Sequence, residues 1–232
     1  MSRLAHRCRD EEQMDSAELD QETYTQVLRD LARVNRWTFT AHPLLAFLDR
    51  AAKGLVRFRL LDVGFGEGDL LRRVADWARR RGISVSLVGI DINPRSASVA
   101  RAMTPRDLPI EYLTGDCRDL PGAFDFVVSS QVTHHMTDQQ LDDFLHFMED
   151  RTLRGWLISD LRRHAFAYYG FPLLARLLGV HRIVREDGQL SIARSFRKNE
   201  WGAYLRDAGI PPEGTRLVNR FPFRLSVERT KG

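Results

Sequence analysis

The chain has 232 residues, 43% hydrophobic and 28% charged, with a formal net charge of +4. That length supports one domain with a small appended cap, and no run of about 18 consecutive apolar residues is present to cross a membrane. The opening stretch MSRLAHRCRDEEQMD has no apolar signal core, and Cys8 and Cys117 form no CxxC or Cys/His cluster. A cytoplasmic protein with reduced thiols and no structural zinc is expected. Of the 35 basic residues only Lys53, Lys198 and Lys231 are lysines, so arginine is spread along the whole chain. Its densest cluster, Arg79 to Arg81, reads as a helix end where cations complement the dipole, which speaks against a nucleic-acid partner.

In chain order, residues 20–34 (DQETYTQVLRDLARV) and 42–53 (HPLLAFLDRAAK) carry apolar positions at helical spacing. They predict an N-terminal helical cap over residues 1–56. FRLLDV (58–63) reads as a strand, 69–80 as a helix and SVSLVGID (84–91) as a second strand. Asn93 and Pro94 open the next helix as N-cap and first helical residue. IEYL (110–113), AFDFVVS (123–129) and GWLIS (155–159) are three further strands. A helix of about ten residues follows Asp138. Residues 164–178 (HAFAYYGFPLLARLL) are apolar and aromatic, interrupted by Gly170 and Pro172; 199–208 predicts another helix. Residues 216–229 predict two strands joined tightly around Phe221-Pro222. The alternation predicts an α/β domain over 57–232: a doubly wound, mostly parallel seven-stranded sheet with an antiparallel C-terminal hairpin and a helical cap insertion at 162–195.

LLDVGFGEGDL, residues 60–70, places Gly64, Gly66 and Gly68 between a strand and a helix, where backbone can approach a ligand closely. A dinucleotide fingerprint requires Gly or Ala three residues after Gly66, and Asp69 stands there. With no Tyr-x-x-x-Lys pair either, an NAD-linked oxidoreductase is disfavoured. The G-x-G-x-G spacing, preceded by Asp62, instead resembles the first motif of the class I S-adenosylmethionine-dependent methyltransferases. Asp91 ending the second strand, Gly115-Asp116-Cys117 after the third, and AFDFVVSS as the fourth agree with that family. The resemblance covers residues 58–161 and, by topology, the hairpin. It implies S-adenosylmethionine as cofactor and S-adenosylhomocysteine as product. The implied cofactor residues are Asp62, Gly64, Phe65, Gly66 and Gly68 in the loop, and Asp91 with Ile92 at the ribose. Asp116 and Cys117 are implied at the adenine, and Ser129 and Gln131 at the end of the fourth strand. The chemistry agrees independently: ribose hydroxyls are donors that suit a carboxylate, and a doubly wound sheet binds ligands beyond its carboxyl strand ends.

VSSQVTHHMTD (128–138) places His134 and His135 at that same edge. Thr137 and Gln140 form a capping box, with Met136 and Leu141 as its staple, so the pair stands on a fixed helix entrance. Neighbouring side chains diverge, which speaks against one metal held by both. Neutral imidazole accepts a proton near pH 7, as hydroxyl methylation requires. Asp160, just past the fifth strand, is placed to orient an imidazole. Some small-molecule O-methyltransferases carry a similar HHM motif with such an Asp, and the resemblance implies base and orienter as the roles of the pair, with Asp160 beside it; which histidine is the base stays open, with His134 favoured and His135 as its neighbour against cofactor or substrate. Arg162, His164 and Tyr168 are candidates for substrate contact. The aromatic segment either lies over the site or packs as a core helix. A hydrophobic small-molecule hydroxyl is the expected substrate, as in secondary metabolism. Quinone-type C-methylation, tRNA methylation and a cofactor-binding accessory role are the alternatives. No Asn-Pro-Pro-Tyr tetrapeptide follows the fourth strand, which lowers the case for nucleobase or glutamine nitrogens.

Overall fold

The computed structural model describes residues 4–16 and 18–231. Two helices, α1 (Gln21–Trp37) and α2 (His42–Ala51), lead into β1 (Arg57–Val63). Then follow α3 (Asp69–Arg81), β2 (Ser84–Asp91), α4 (Pro94–Met103), β3 (Ile110–Thr114), β4 (Phe124–Ser130), α5 (Asp138–Asp150) and β5 (Thr152–Leu161). The chain closes with α6 (Ala165–Leu177), α7 (Arg182–Arg194), α8 (Lys198–Asp207), β6 (Thr215–Arg220) and β7 (Arg224–Thr230).

The sheet order is β3-β2-β1-β4-β5-β7-β6, with β7 antiparallel to both neighbours. Its central strands are apolar at successive positions because both faces are covered. In β4, Val127 packs into one core with Leu145, Trp156 and Trp201, while Phe126 and Val128 pack into the other with Leu48, Leu71 and Leu157. The first core takes α5 and α8, and the second takes α2, α3 and α4. The helix α2, expected in the N-terminal cap, therefore belongs to the sheet layer: Leu44, Phe47 and Leu48 are fully packed there, and Trp77 Nε1 of α3 donates to Asp49 Oδ1 at 2.9 Å.

Local signals set the helix starts as the sequence predicts. Asn93 accepts from Arg95 N ahead of Pro94, and Thr137 and Gln140 form the capping box of α5. The departure is α6, which runs unbroken through Gly170 and Pro172. Proline removes the N–H that would have bonded to the carbonyl four residues back, here Tyr168. Gln189 Nε2 of α7 donates to that carbonyl at 3.0 Å, supplying the missing partner. β5 is also longer than expected. Pairing with β7 continues through Asp160 opposite Leu225 to Leu161 opposite Arg224, so Asp160 lies inside the strand.

Because β1 and β4 are parallel neighbours from which the two halves wind outward, their carboxyl ends diverge into a crevice. Above it α1, α7 and the 3-10 turn Gln13–Asp15 pack through Val27, Val34, Val184 and Met14, with Tyr24 and Leu28 set against Val99 of α4.

Candidate active site

Gly64 (φ +76°) and Gly66 (φ +57°) turn the chain out of β1 in the left-handed region. A Cβ on Gly64 would lie 2.3 Å from Val132, whereas none of the surrounding atoms comes within 4 Å of one on Gly66. Gly66 thus leaves open backbone on a cavity of about 1040 Å³. Asp91 organises the loop: one oxygen accepts from Gly66 N at 3.0 Å and the other from Asn93 N at 2.9 Å. Asp91 also lines the cavity.

Asp62 sits beneath this loop at 1% exposure, and neither of its oxygens has a hydrogen-bond partner. Burial and then the charge of Asp91 push its pKa up to about 7. A buried carboxylate without a donor is costly, and a cationic ligand group is the partner that relieves it. Open backbone at Gly66, an orphaned acid at Asp62 and an acceptor at Asp91 fit an amino-acid-bearing nucleoside such as S-adenosylmethionine.

The remaining cofactor candidates divide. Phe65, Ile92, Asp116, Cys117 and Gln131 line the cavity. Asp116 also caps the turn Cys117–Asp119 and accepts from Arg118 Nε at 3.0 Å. Burial pushes the Cys117 thiol up to about 12, so it stays neutral. Gln131 (φ +60°) donates from Nε2 to Asn35 Oδ1 at 3.0 Å, tying the end of β4 to α1. Ser129 and Gly68 do not border the cavity. Ser129 Oγ donates to Val63 O at 2.9 Å between strands, and Gly68 has no Cβ because one would meet the Tyr112 hydroxyl at 2.3 Å. Both are packing positions rather than ligand contacts. Ser129→Ala is expected to cost about 1 kcal/mol of stability in denaturant unfolding and to leave S-adenosylhomocysteine affinity unchanged by calorimetry.

Opposite the glycine loop, the 3-10 turn Thr133–His135 holds the histidine pair. Asp160 Oδ1 accepts from His134 Nδ1 at 2.7 Å and from Leu161 N at 2.7 Å. Its Oδ2 accepts from Thr133 Oγ1 at 2.6 Å and from His134 N at 3.0 Å. On the far side of the ring stands Glu12, with Oε1 3.5 Å from His134 Nε2 and Oε2 3.9 Å from His135 Nε2. Ser191 Oγ of α7 donates to Glu12 Oε1 at 2.8 Å. Arg194 spans the carbonyls of His134 and His135 at 3.3 Å each.

These contacts change the roles expected of the pair. Burial presses the His134 pKa down, but Asp160 and then Glu12 more than reverse this and hold it at about 10. Glu12 in turn is held below the ordinary carboxylate range: burial pushes it up, and His134 and then His135 outweigh burial. The two flanking carboxylates favour the protonated form of His134, which speaks against it as the proton acceptor. Both rings border the cavity, and His135, with 29% of its side chain exposed against 3% for His134, is the more open of the two. Nor do the rings diverge: their centroids are 4.2 Å apart and both Nε2 atoms turn toward Glu12. Glu12 had no signal in the sequence, lying in a charged segment without periodicity.

The three substrate candidates lie off the cavity. Arg162 N donates to Phe223 O at 2.8 Å, and His164 caps α6 and stacks on Phe223 at 4.8 Å. Tyr168 meets Tyr169 edge-on. The aromatic segment does not cover the site either: α6 packs on the outside of α7 and exposes Phe166, Tyr169, Leu173 and Leu177. The cover comes from α7, through Val184, Gly188 and Ser191, and from α1, through Tyr24, Val27 and Leu28.

Comparison with known proteins agrees with this geometry. Residues 60–154 match the family model described as a methyltransferase domain. Those residues thus carry a methyltransferase domain. No curated protein matches by sequence. Among solved structures, the methyltransferase fold is similar to magnesium protoporphyrin IX methyltransferase from Synechocystis PCC 6803 with bound S-adenosylhomocysteine. That match has 17% identity and a TM-score of 0.57, over 94% of this chain and 90% of that one. Human N-acetylserotonin methyltransferase in complex with S-adenosylmethionine matches at 15% identity and TM-score 0.64, over 92% of this chain and 57% of that one. A plantazolicin methyltransferase in complex with a triazolic desmethyl analogue matches at 13% and 0.58, over 87% and 77%. Among the described residues, no helix of this methyltransferase is long and apolar enough to cross a membrane.

Proposed function

We propose that this methyltransferase moves a methyl group from S-adenosylmethionine to a hydroxyl of an apolar, aromatic small molecule, with His135 as proton acceptor. The observation that carries this reading is one cavity bordered both by Gly66 and Asp91, with Asp62 buried beneath them, and by the Glu12–His134–His135 cluster. When bound, S-adenosylmethionine supplies an electrophilic methyl on a sulfonium. The protein's own residues do the rest. Tyr24, Leu28, Phe144 and Val184 make the wall apolar, which shields the acceptor oxygen from water and favours a ring over a polar polymer. His135 Nε2 takes the hydroxyl proton as the oxygen becomes nucleophilic. Glu12 lies beside that nitrogen and stabilises the charge it gains. The solved structures with this fold are named for small or azole-peptide substrates, which supports the small-molecule reading. Cytoplasmic natural-product methylation is the setting it fits.

Calorimetry tests the cofactor half. S-adenosylhomocysteine is expected to bind and NAD is not. Asp62→Asn should weaken binding by roughly 10- to 100-fold, the worth of a hydrogen bond to a charged group. Wild-type affinity should fall as pH drops below about 7, because Asp62 then takes a proton and loses its attraction for a cation. Tighter binding of NAD, or no binding of S-adenosylhomocysteine, sinks the reading. Transfer of labelled methyl to a panel of phenols tests the acceptor half.

A further inference from the structure

We infer that Glu12, His134 and His135 form a site for one divalent transition-type cation, and that the substrate hydroxyl enters its open position. The inference rests on the reading that this cluster activates a hydroxyl, and it changes only the means. Two imidazoles and a carboxylate are the donor set that Zn²⁺, Co²⁺ or Fe²⁺ takes with a position left open, whereas Mg²⁺ and Ca²⁺ prefer oxygen ligands alone.

Four observations support it. One ligand atom from each of the three side chains falls within a sphere of mutual distances under 4.8 Å. A tetrahedral ion with bonds of about 2.0–2.1 Å needs donors roughly 3.4 Å apart. His134 Nε2 and Glu12 Oε1 stand 3.5 Å apart, and His135 Nε2 and Glu12 Oε2 3.9 Å, so both imidazoles approach the carboxylate near that spacing, and the three ligand atoms draw together from within 4.8 Å to close on an ion. Second, the ligands come already oriented. Asp160 takes His134 Nδ1 at 2.7 Å and leaves Nε2 facing the cluster, the carboxylate–histidine arrangement that supports metal-bound imidazole. Third, Ser191 Oγ holds the Glu12 carboxylate at 2.8 Å, and Arg194 holds the carbonyls of both histidines. Fourth, all three residues border the same cavity as the glycine loop.

Cation binding displaces the proton that His134 shares with Glu12. A hydroxyl at the open position then loses its proton at lower pH than in water: the O–H bond breaks, its electron pair stays on oxygen, and the proton leaves to solvent through the cavity. His135 in this state gives its lone pair to the ion rather than to the proton.

The test uses full-length protein stripped with chelator and titrated with Co²⁺, whose visible absorption reports nitrogen ligation without any turnover. One equivalent is expected to develop the bands. Glu12→Gln and His135→Asn should weaken binding by at least about 10-fold, and Asp160→Asn by about 10- to 100-fold through loss of the orienting bond. His164→Ala, away from the cluster, should not change it. S-adenosylhomocysteine calorimetry on each variant reports whether the fold survives, and His135→Asn, at a partly exposed ring, keeps the test decisive if the buried variants misfold. Absence of Co²⁺ bands in wild-type protein, or equal affinity in wild type and His135→Asn, overturns the inference. So does stripped enzyme with undiminished methyl transfer, and that result leaves the histidine-base reading standing. Loss of S-adenosylhomocysteine binding by the wild type would instead overturn the proposed function itself.

Discussion

Replacing His135 by Asn is expected to lower methyl transfer to a phenol by about 10²–10⁴-fold, the usual contribution of a positioned general base. The loss should appear in the rate of a single turnover, with S-adenosylhomocysteine affinity unchanged, because His135 is not part of the cradle of Asp62, Gly66 and Asp91. A more acidic phenol should recover part of the rate in the variant, since less proton abstraction is then required. His134→Asn differs in kind. It removes the cation between Asp160 and Glu12 and leaves two buried carboxylates without their counter-charge. A drop of less than about tenfold for His135→Asn would end its assignment as base.

Asp160→Ala should be the most destabilising single change in the site, by about 3–5 kcal/mol, because it strands a buried imidazolium. It also removes the acceptor of Thr133 Oγ1, His134 N and Leu161 N. For a chain of this size that corresponds to a fall in Tm of roughly 6–20 °C. The contribution has a defined pH window. The folded pKa of Asp160 is lowered from 3.8 to about 2, so its share is present above 3.8 and is lost as pH falls through about 2. The folded pKa of His134 is raised from 6.5 to about 10, so its share is present below 6.5 and is lost as pH rises through about 10. The stability difference between wild type and Asp160→Ala should therefore be largest between about pH 4 and 6.5, measured by denaturant midpoints across that range.

The fold was legible because its signals are local. β1, β2 and β4 are short apolar runs, Asn93-Pro94 and Thr137–Gln140 are self-contained caps, and Gly64-x-Gly66 is a turn chemistry that few residues allow. Each depends on neighbours a few positions away, and their order along the chain dictates the sheet. Ser129, Arg162, His164 and Tyr168 lie off the cavity for one reason. Sequence reports that a residue stands near a strand end but not which way its side chain points. Ser129 turns into the sheet toward Val63, and His164 turns outward to Phe223.

By itself the sequence determined a doubly wound sheet, a glycine loop with acids at successive strand ends, and a histidine pair at a capped helix entrance. Only the tertiary structure decided which histidine is held between two carboxylates. The deciding group is Glu12, brought from the far end of the chain to a buried position between the rings and held there by Ser191 of α7. Charge acts through space and strengthens as water is excluded, so the protonation of His134 is set by which carboxylates fold against it. No local pattern in THHM carries that information.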